Sequence, residues 1–160
     1  MRLNRGLVPI LFLSVAALGA CSDATSAADP CADFQGTWNT QSFTYRASAN
    51  PITARDLTSV AAIALTLDDN CNYTGSADIQ DVTSGAISIN GMFTLDARFQ
   101  TLDLLDATAF GNAFNATYQY TFSGNTLTLV NPSTEYDFDG AGPNPAFPAT
   151  LTITFERQAS

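Results

Sequence analysis

The chain has no histidine and no lysine. Those two absences remove the side chains most often used as general bases, and with them any Ser–His or Cys–His arrangement that activates a nucleophile. No G-x-S-x-G turn and no phosphate-binding glycine loop occurs either. Positive charge is scarce. Six arginines face fifteen acids, a formal charge of −9 at pH 7. A surface of that sign repels nucleic acid and anionic lipid headgroups. Tryptophan occurs once and cysteine three times in 160 residues. The apolar run Leu7–Leu18, interrupted by Pro9 and Ser14, is too short to span a bilayer comfortably. We expect neither a catalytic centre nor a cofactor.

The front of the chain, MRLNRGLVPILFLSVAALGAC, has the layout of a secretory signal. Arg2 and Arg5 form a positive head, the apolar run follows, and small Gly19 and Ala20 end it. Leu18-Gly19-Ala20-Cys21 resembles the lipobox of bacterial lipoproteins. The resemblance implies a signal peptide over 1–20, cleavage before Cys21, and acyl chains on Cys21 that hold the chain on a membrane durably. The other reading is an ordinary secretory signal in which Cys21 is incidental. In enteric bacteria an aspartate directly after the lipidated cysteine retains a lipoprotein at the inner membrane. Ser22 stands there instead, which implies the outer membrane of the cell envelope. Residues 21–30 then form a short flexible tether of small, polar residues ending in Pro30, and 31–160 one domain, a size that suits a single core. Without its signal the chain keeps four arginines against fifteen acids, a charge of −11. That charge favours cationic ligands or simply keeps an exported domain soluble.

With Cys21 lipidated, Cys31 and Cys71 remain. In an oxidising compartment they are expected to join, stapling the start of the domain to a turn forty residues on. Two thiolates without histidine are too few ligands for zinc.

Beyond Cys31 the dominant pattern has period two. Phe114, Ala116, Tyr118, Tyr120 and Phe122 alternate with Asn115, Thr117, Gln119 and Thr121; Leu151, Ile153 and Phe155 alternate with threonines. The pattern predicts eight strands, over 34–46, 60–67, 71–80, 86–96, 99–106, 114–122, 126–130 and 149–157. Short turns such as Asp68-Asp69-Asn70 and Ser123-Gly124-Asn125 join most neighbours. An up-and-down meander is the economical topology, and closing it into a barrel removes exposed sheet edges. Residues 55–64 fit a short helix as well as a strand, with a turn expected before the second strand. Gly91 marks a bend or bulge. Residues 131–149, with four of the seven prolines, read as a long irregular loop.

Phe34-Gln35-Gly36-Thr37-Trp38 resembles the G-x-W signature of the lipocalin and calycin group. The resemblance implies an all-β, eight-stranded antiparallel up-and-down barrel, with Trp38 plugging its closed end and a basic residue of the last strand, here Arg157, packed over the indole. Residues 65–73, 124–129 and 151–157 resemble hairpins of small bacterial lipocalin-like lipoproteins. The opening strand also resembles that of avidins, but their biotin pockets use several tryptophans and this chain has one.

Two functions follow. One is a lipocalin-like module that takes a small apolar or amphiphilic molecule into the barrel, with Arg46, Arg98, Tyr73, Phe93, Tyr118 and Tyr120 as candidate contacts and Arg55 as a further cation. The other is a structural or interaction lipoprotein whose barrel its own side chains fill and whose loops contact envelope partners; a monomer is expected in either case. Inward Gly75, Ala77, Gly91 and Ala116 leave room for a ligand; Tyr73, Phe93, Phe114, Tyr118 and Phe122 argue for a packed interior. Acid pairs such as Asp68 with Asp69 and Asp103 with Asp106 read as solvated turn or strand-end residues. Asp137, Asp139 and Asn144 faintly echo a calcium loop, lacking its third acid and closing glutamate; the plainer reading is an acidic turn.

Overall fold

The computed structural model describes residues 30–80, 83–106, 116–140 and 146–159. The expected signal peptide over 1–20, Cys21, Phe114, Asn144 and the side chain of Asp106 lie outside them.

A one-turn 3-10 helix, Ala32–Phe34, leads into nine strands: β1 Gly36–Ala47, β2 Ala54–Asp56, β3 Ala61–Leu67, β4 Asn72–Ile79, β5 Ile87–Asp96, β6 Thr101–Asp106, β7 Ala116–Ser123, β8 Thr126–Tyr136 and β9 Phe147–Arg157. Every pairing is antiparallel. The order runs β1-β3-β4-β5-β6-β7-β8-β9, and β9 returns to pair with β1 from Trp38↔Arg157 to Ala47↔Ala149. Eight strands therefore close into an up-and-down barrel. The ninth, β2, lies on the same side of β1 as β3: the first residues of β1 pair with β3 and Thr44–Arg46 pair with β2.

Side-chain alternation sets the inside. In β3 Ala61, Ile63, Leu65 and Leu67 are buried; in β9 Ala149, Leu151, Ile153 and Phe155 are. Outward positions carry Thr66, Thr74, Asp78, Asn90 and Thr94. Apolar inside and polar outside is the reverse of a membrane-spanning barrel. Among the described residues no helix is long and apolar enough to cross a membrane.

The strand boundaries depart from the period-two reading in four places. Phe34 belongs to the 3-10 turn, not to β1. Residues 54–56 form β2 rather than the start of a helix, because they can pair with the upper half of β1, and the turn before β3 falls at 58–60. Phe99 sits in the turn between β5 and β6, and Gln100 takes a left-handed φ of 53° before β6 begins. Much of 131–149 is hairpin. β8 runs on to Tyr136 and pairs with β9 through Thr134↔Ala149 and Tyr136↔Phe147, with a register shift between Asn131 and Thr134 that accommodates Pro132. Proline is tolerated at such an irregularity because its missing N–H costs no ladder bond.

Candidate functional site

Three places in the barrel have the concavity or side-chain convergence of a site: its closed end, its interior and a groove on its outer wall.

The closed end is built around Trp38. The indole is fully buried and its Nε1 donates to the Phe34 carbonyl at 2.8 Å, so its one polar atom is satisfied. The Arg157 guanidinium lies 4.6 Å from the indole centroid and 5.5 Å from that of Phe122, and donates to the Asp33 carbonyl. Gly36, at φ +136°, brings the backbone to within 3.4 Å of the Arg157 side chain, measured from where a Cβ would stand. The 3-10 turn points Phe34 into the barrel mouth at this end, where its ring meets Phe122 at 5.2 Å, Tyr120 at 5.4 Å and Phe93 at 6.3 Å. The Cys31–Cys71 disulfide, with Cα atoms 5.3 Å apart, pins that turn to the β3–β4 turn. Below it Asp68 Oδ1 accepts from Asn70 N and Asn72 N, and these bonds, chiefly those from Asn72, hold its carboxyl below the usual range. Phe34 is the member of this plug that the sequence reading placed elsewhere.

Among the described residues the interior is filled. A cavity of about 20 Å³ remains among Ile63, Tyr73, Ile89, Leu104, Tyr118 and Leu129, room for about one water. Gly75 and Gly91 do not enlarge it. A Cβ at Gly75 would overlap the Ala64 carbonyl oxygen, and one at Gly91 the Leu105 carbonyl oxygen, with the Tyr73 hydroxyl also close. The neighbouring strand's backbone, not vacant space, occupies the place of the missing side chains. This corrects the reading that these glycines leave room for a ligand; β5 pairs through Gly91 with β4 and β6 without a register shift, so no bulge marks that position. At the end opposite Trp38, Tyr45 stacks on Tyr136 at 4.4 Å and Phe138 packs edge-on to Tyr136 at 5.1 Å. Burial, with Tyr136 alongside, pushes the Tyr45 phenol up to about 12. Burial, with Tyr45 alongside, does the same for Tyr118, also about 12. The signal for this second cluster was present in Tyr136 and Phe138, whose spacing of two continues a strand.

The candidate ligand contacts do not form one site. Tyr73, Phe93 and Tyr118 are buried in the core, while Tyr120 packs on Phe34 at the closed end. Arg46 is exposed at the opposite end, where its Nη1 donates to the Pro51 carbonyl at 3.1 Å. Arg55 is exposed on β2. Arg98 is at the Trp38 end, in the β5–β6 turn. Asp137 Oδ1 accepts from Asp139 N and Gly140 N at 3.2 and 2.9 Å, the bonding of an acidic turn. Among the described residues no group of three or more His, Cys, Asp or Glu could hold a metal ion.

The groove, of about 760 Å³, opens on the outer wall where β1 parts from β3. There Thr40 Oγ1 bonds both Ile63 N and Ile63 O at 2.9 Å, and Thr58 Oγ1 accepts from Phe43 N at 3.0 Å, so hydroxyls replace the missing backbone ladder. Ala62 and Ala64 line it together with Asn39, Ser76, Gln80 and Asp78, the one ionisable side chain among its described lining residues. A carboxylate with hydroxyl and amide neighbours offers both acceptors and donors to a polar group.

No protein-family model matches the sequence, and no curated protein matches it. Among solved structures the chain is similar to a DUF4847 family protein from Bacteroides vulgatus, with 17% identity, 79% of this chain and 94% of that chain covered, and a TM-score of 0.45.

Proposed function

We propose that the mature chain is a lipocalin-like lipoprotein of the bacterial envelope, anchored by acyl chains on Cys21 at the outer membrane. Its barrel is a filled, non-catalytic scaffold that acts through its surface rather than a carrier of a small apolar ligand. The observation that carries this reading is the interior cavity of about 20 Å³, set against the roughly 300–1,000 Å³ of ordinary small-molecule pockets. Aromatic clusters at both ends support it. The lipobox-like Leu18-Gly19-Ala20-Cys21 supports the anchor.

Membrane-extracted protein, analysed by mass spectrometry, should carry an acylated N-terminal Cys21. The same protein, incubated with a bacterial lipid extract and repurified, should show no stoichiometric small molecule in its native mass spectrum. An unmodified thiol, or cleavage elsewhere, removes the anchor; a retained one-to-one ligand restores the carrier.

A further inference from the structure

The chain enters the fold at the closed end, where the disulfide holds Cys31 beside the β3–β4 turn and β9 finishes over Trp38. The β5–β6 turn lies at this same end, because β5 ends at Asp96 where β6 starts at Thr101. Asp96 Oδ1 accepts from Arg98 N and Phe99 N at 2.9 and 3.2 Å and fixes the turn. Its tip presents a large apolar ring to solvent: Phe99 is 65% exposed, with the Arg98 guanidinium 5.2 Å from its centroid. Arg157 is committed to Trp38, and Arg46 and Arg55 lie towards the other end. Arg98 is therefore the exposed cation of the closed end among the described residues.

We propose that the Arg98–Phe99 tip is a membrane contact: the barrel stands with its closed end on the bilayer that anchors it, Phe99 in the headgroup–acyl boundary and Arg98 on a phospholipid phosphate. The proposal rests on acylation of Cys21. Ten residues carry the chain from Cys21 to Cys31 and reach at most roughly 35 Å. The twelve residues of β1 rise about 40 Å along the strand, or about 30 Å of barrel height at the usual tilt. The far rim therefore meets the bilayer only with the tether drawn out along the barrel wall, at a cost in chain entropy. The closed end meets it with the tether relaxed. One ring and one guanidinium bind a bilayer weakly alone, but the tether holds them at high local concentration. Asp33, Asp69, Asp96 and Glu156 are exposed at the same end. That mixture suits a zwitterionic headgroup, whose ammonium meets the acids and whose phosphate meets Arg98, and disfavours a strongly anionic surface.

The test uses the acylated mature protein in phosphatidylcholine–phosphatidylethanolamine vesicles with brominated acyl chains. Phe99→Trp reports the closed end and Ile52→Trp the opposite rim, where Ile52 is 92% exposed; the Trp38 signal of the unsubstituted protein is subtracted. The indole at position 99 should be quenched several-fold more than the one at 52, and Cys21→Ser protein added to the same vesicles should lose that quenching. Equal quenching at both positions, or more at 52, overturns the proposal. Mass spectrometry of the same vesicles separates the two failures. An unacylated Cys21 removes the anchor and the contact together, whereas an acylated Cys21 with no quenching at 99 removes the contact alone.

Discussion

Trp38 gives up all contact with water, yet its single polar atom keeps a partner, and one face of its ring meets a guanidinium rather than more hydrocarbon. These are separable contributions. Trp38→Ala should destabilise the fold by about 3–5 kcal/mol, since a large buried ring is lost and the floor cannot collapse around the Cys31–Cys71 staple. Arg157→Ala should cost less, about 0.5–2 kcal/mol for the cation–π contact and some aliphatic packing. Urea unfolding followed by circular dichroism measures both, and a double-mutant cycle isolates their coupling. Trp38 and Arg157 were legible in the sequence because each sits at a marked place, two residues after Gly36 and at the end of the clean Leu151–Phe155 alternation. Phe34 was not. With Gly36 and Trp38 it keeps the period-two spacing of a strand, and nothing local distinguishes a residue that continues β1 from one that a 3-10 turn folds under the barrel.

Among the elements, that 3-10 turn is held by the backbone bonds Phe34 N to Cys31 O and Gln35 N to Ala32 O, by the Trp38 indole and the Arg157 guanidinium on its carbonyls, and by the disulfide. Closing a loop of forty residues limits the unfolded chain by roughly 4 kcal/mol. The Cys31→Ser, Cys71→Ser double variant should lose about that much stability and unfold at a lower urea concentration, with the slope of the transition raised because its unfolded state is more extended. The strands were legible where one face is buried and the other wet, as in β3, β4, β5 and β9. Legibility failed where tertiary pairing overrides local pattern. β2 is a strand because the upper half of β1 is left without β3, and nothing in Ala54–Asp56 announces it. The extension of β8 past Pro132 was hidden by the proline itself, which reads as a loop signal until the register shift that tolerates it is seen.

For the molecule as a whole, the described residue pair that links protonation and folding most strongly lies in the interior. Tyr45 and Tyr118 are pushed up to about 12 in the fold, against about 10 in an unfolded chain. Folding thus favours the neutral phenols. Their contribution is fully present below pH 10 and is lost as pH rises from 10 towards 12, by roughly 1.4 kcal/mol per pH unit for each tyrosine. Melting temperature should be level from neutral pH to about 9.5 and fall steeply beyond 10, and Tyr118→Phe should remove about half of that fall. The inner and outer faces of this barrel were foreseeable from alternation. Whether the interior held a space was not, because Gly75 and Gly91 look like gaps in a sequence and prove to be points where the neighbouring backbone comes closest.

The seam between β1 and β9 joins the first strand to be made to the last. In the order of synthesis, the edge of β1 that β9 will cover stays open until β9 itself has been made. Arg157, which lies over Trp38, is the last residue of β9. Closure of the barrel is therefore a proofreading step of sorts. A chain cut short before Phe147 has every other strand in hand, but two unpaired edges and an uncovered indole, the features by which aggregation and proteolysis distinguish an unfinished protein from a finished one.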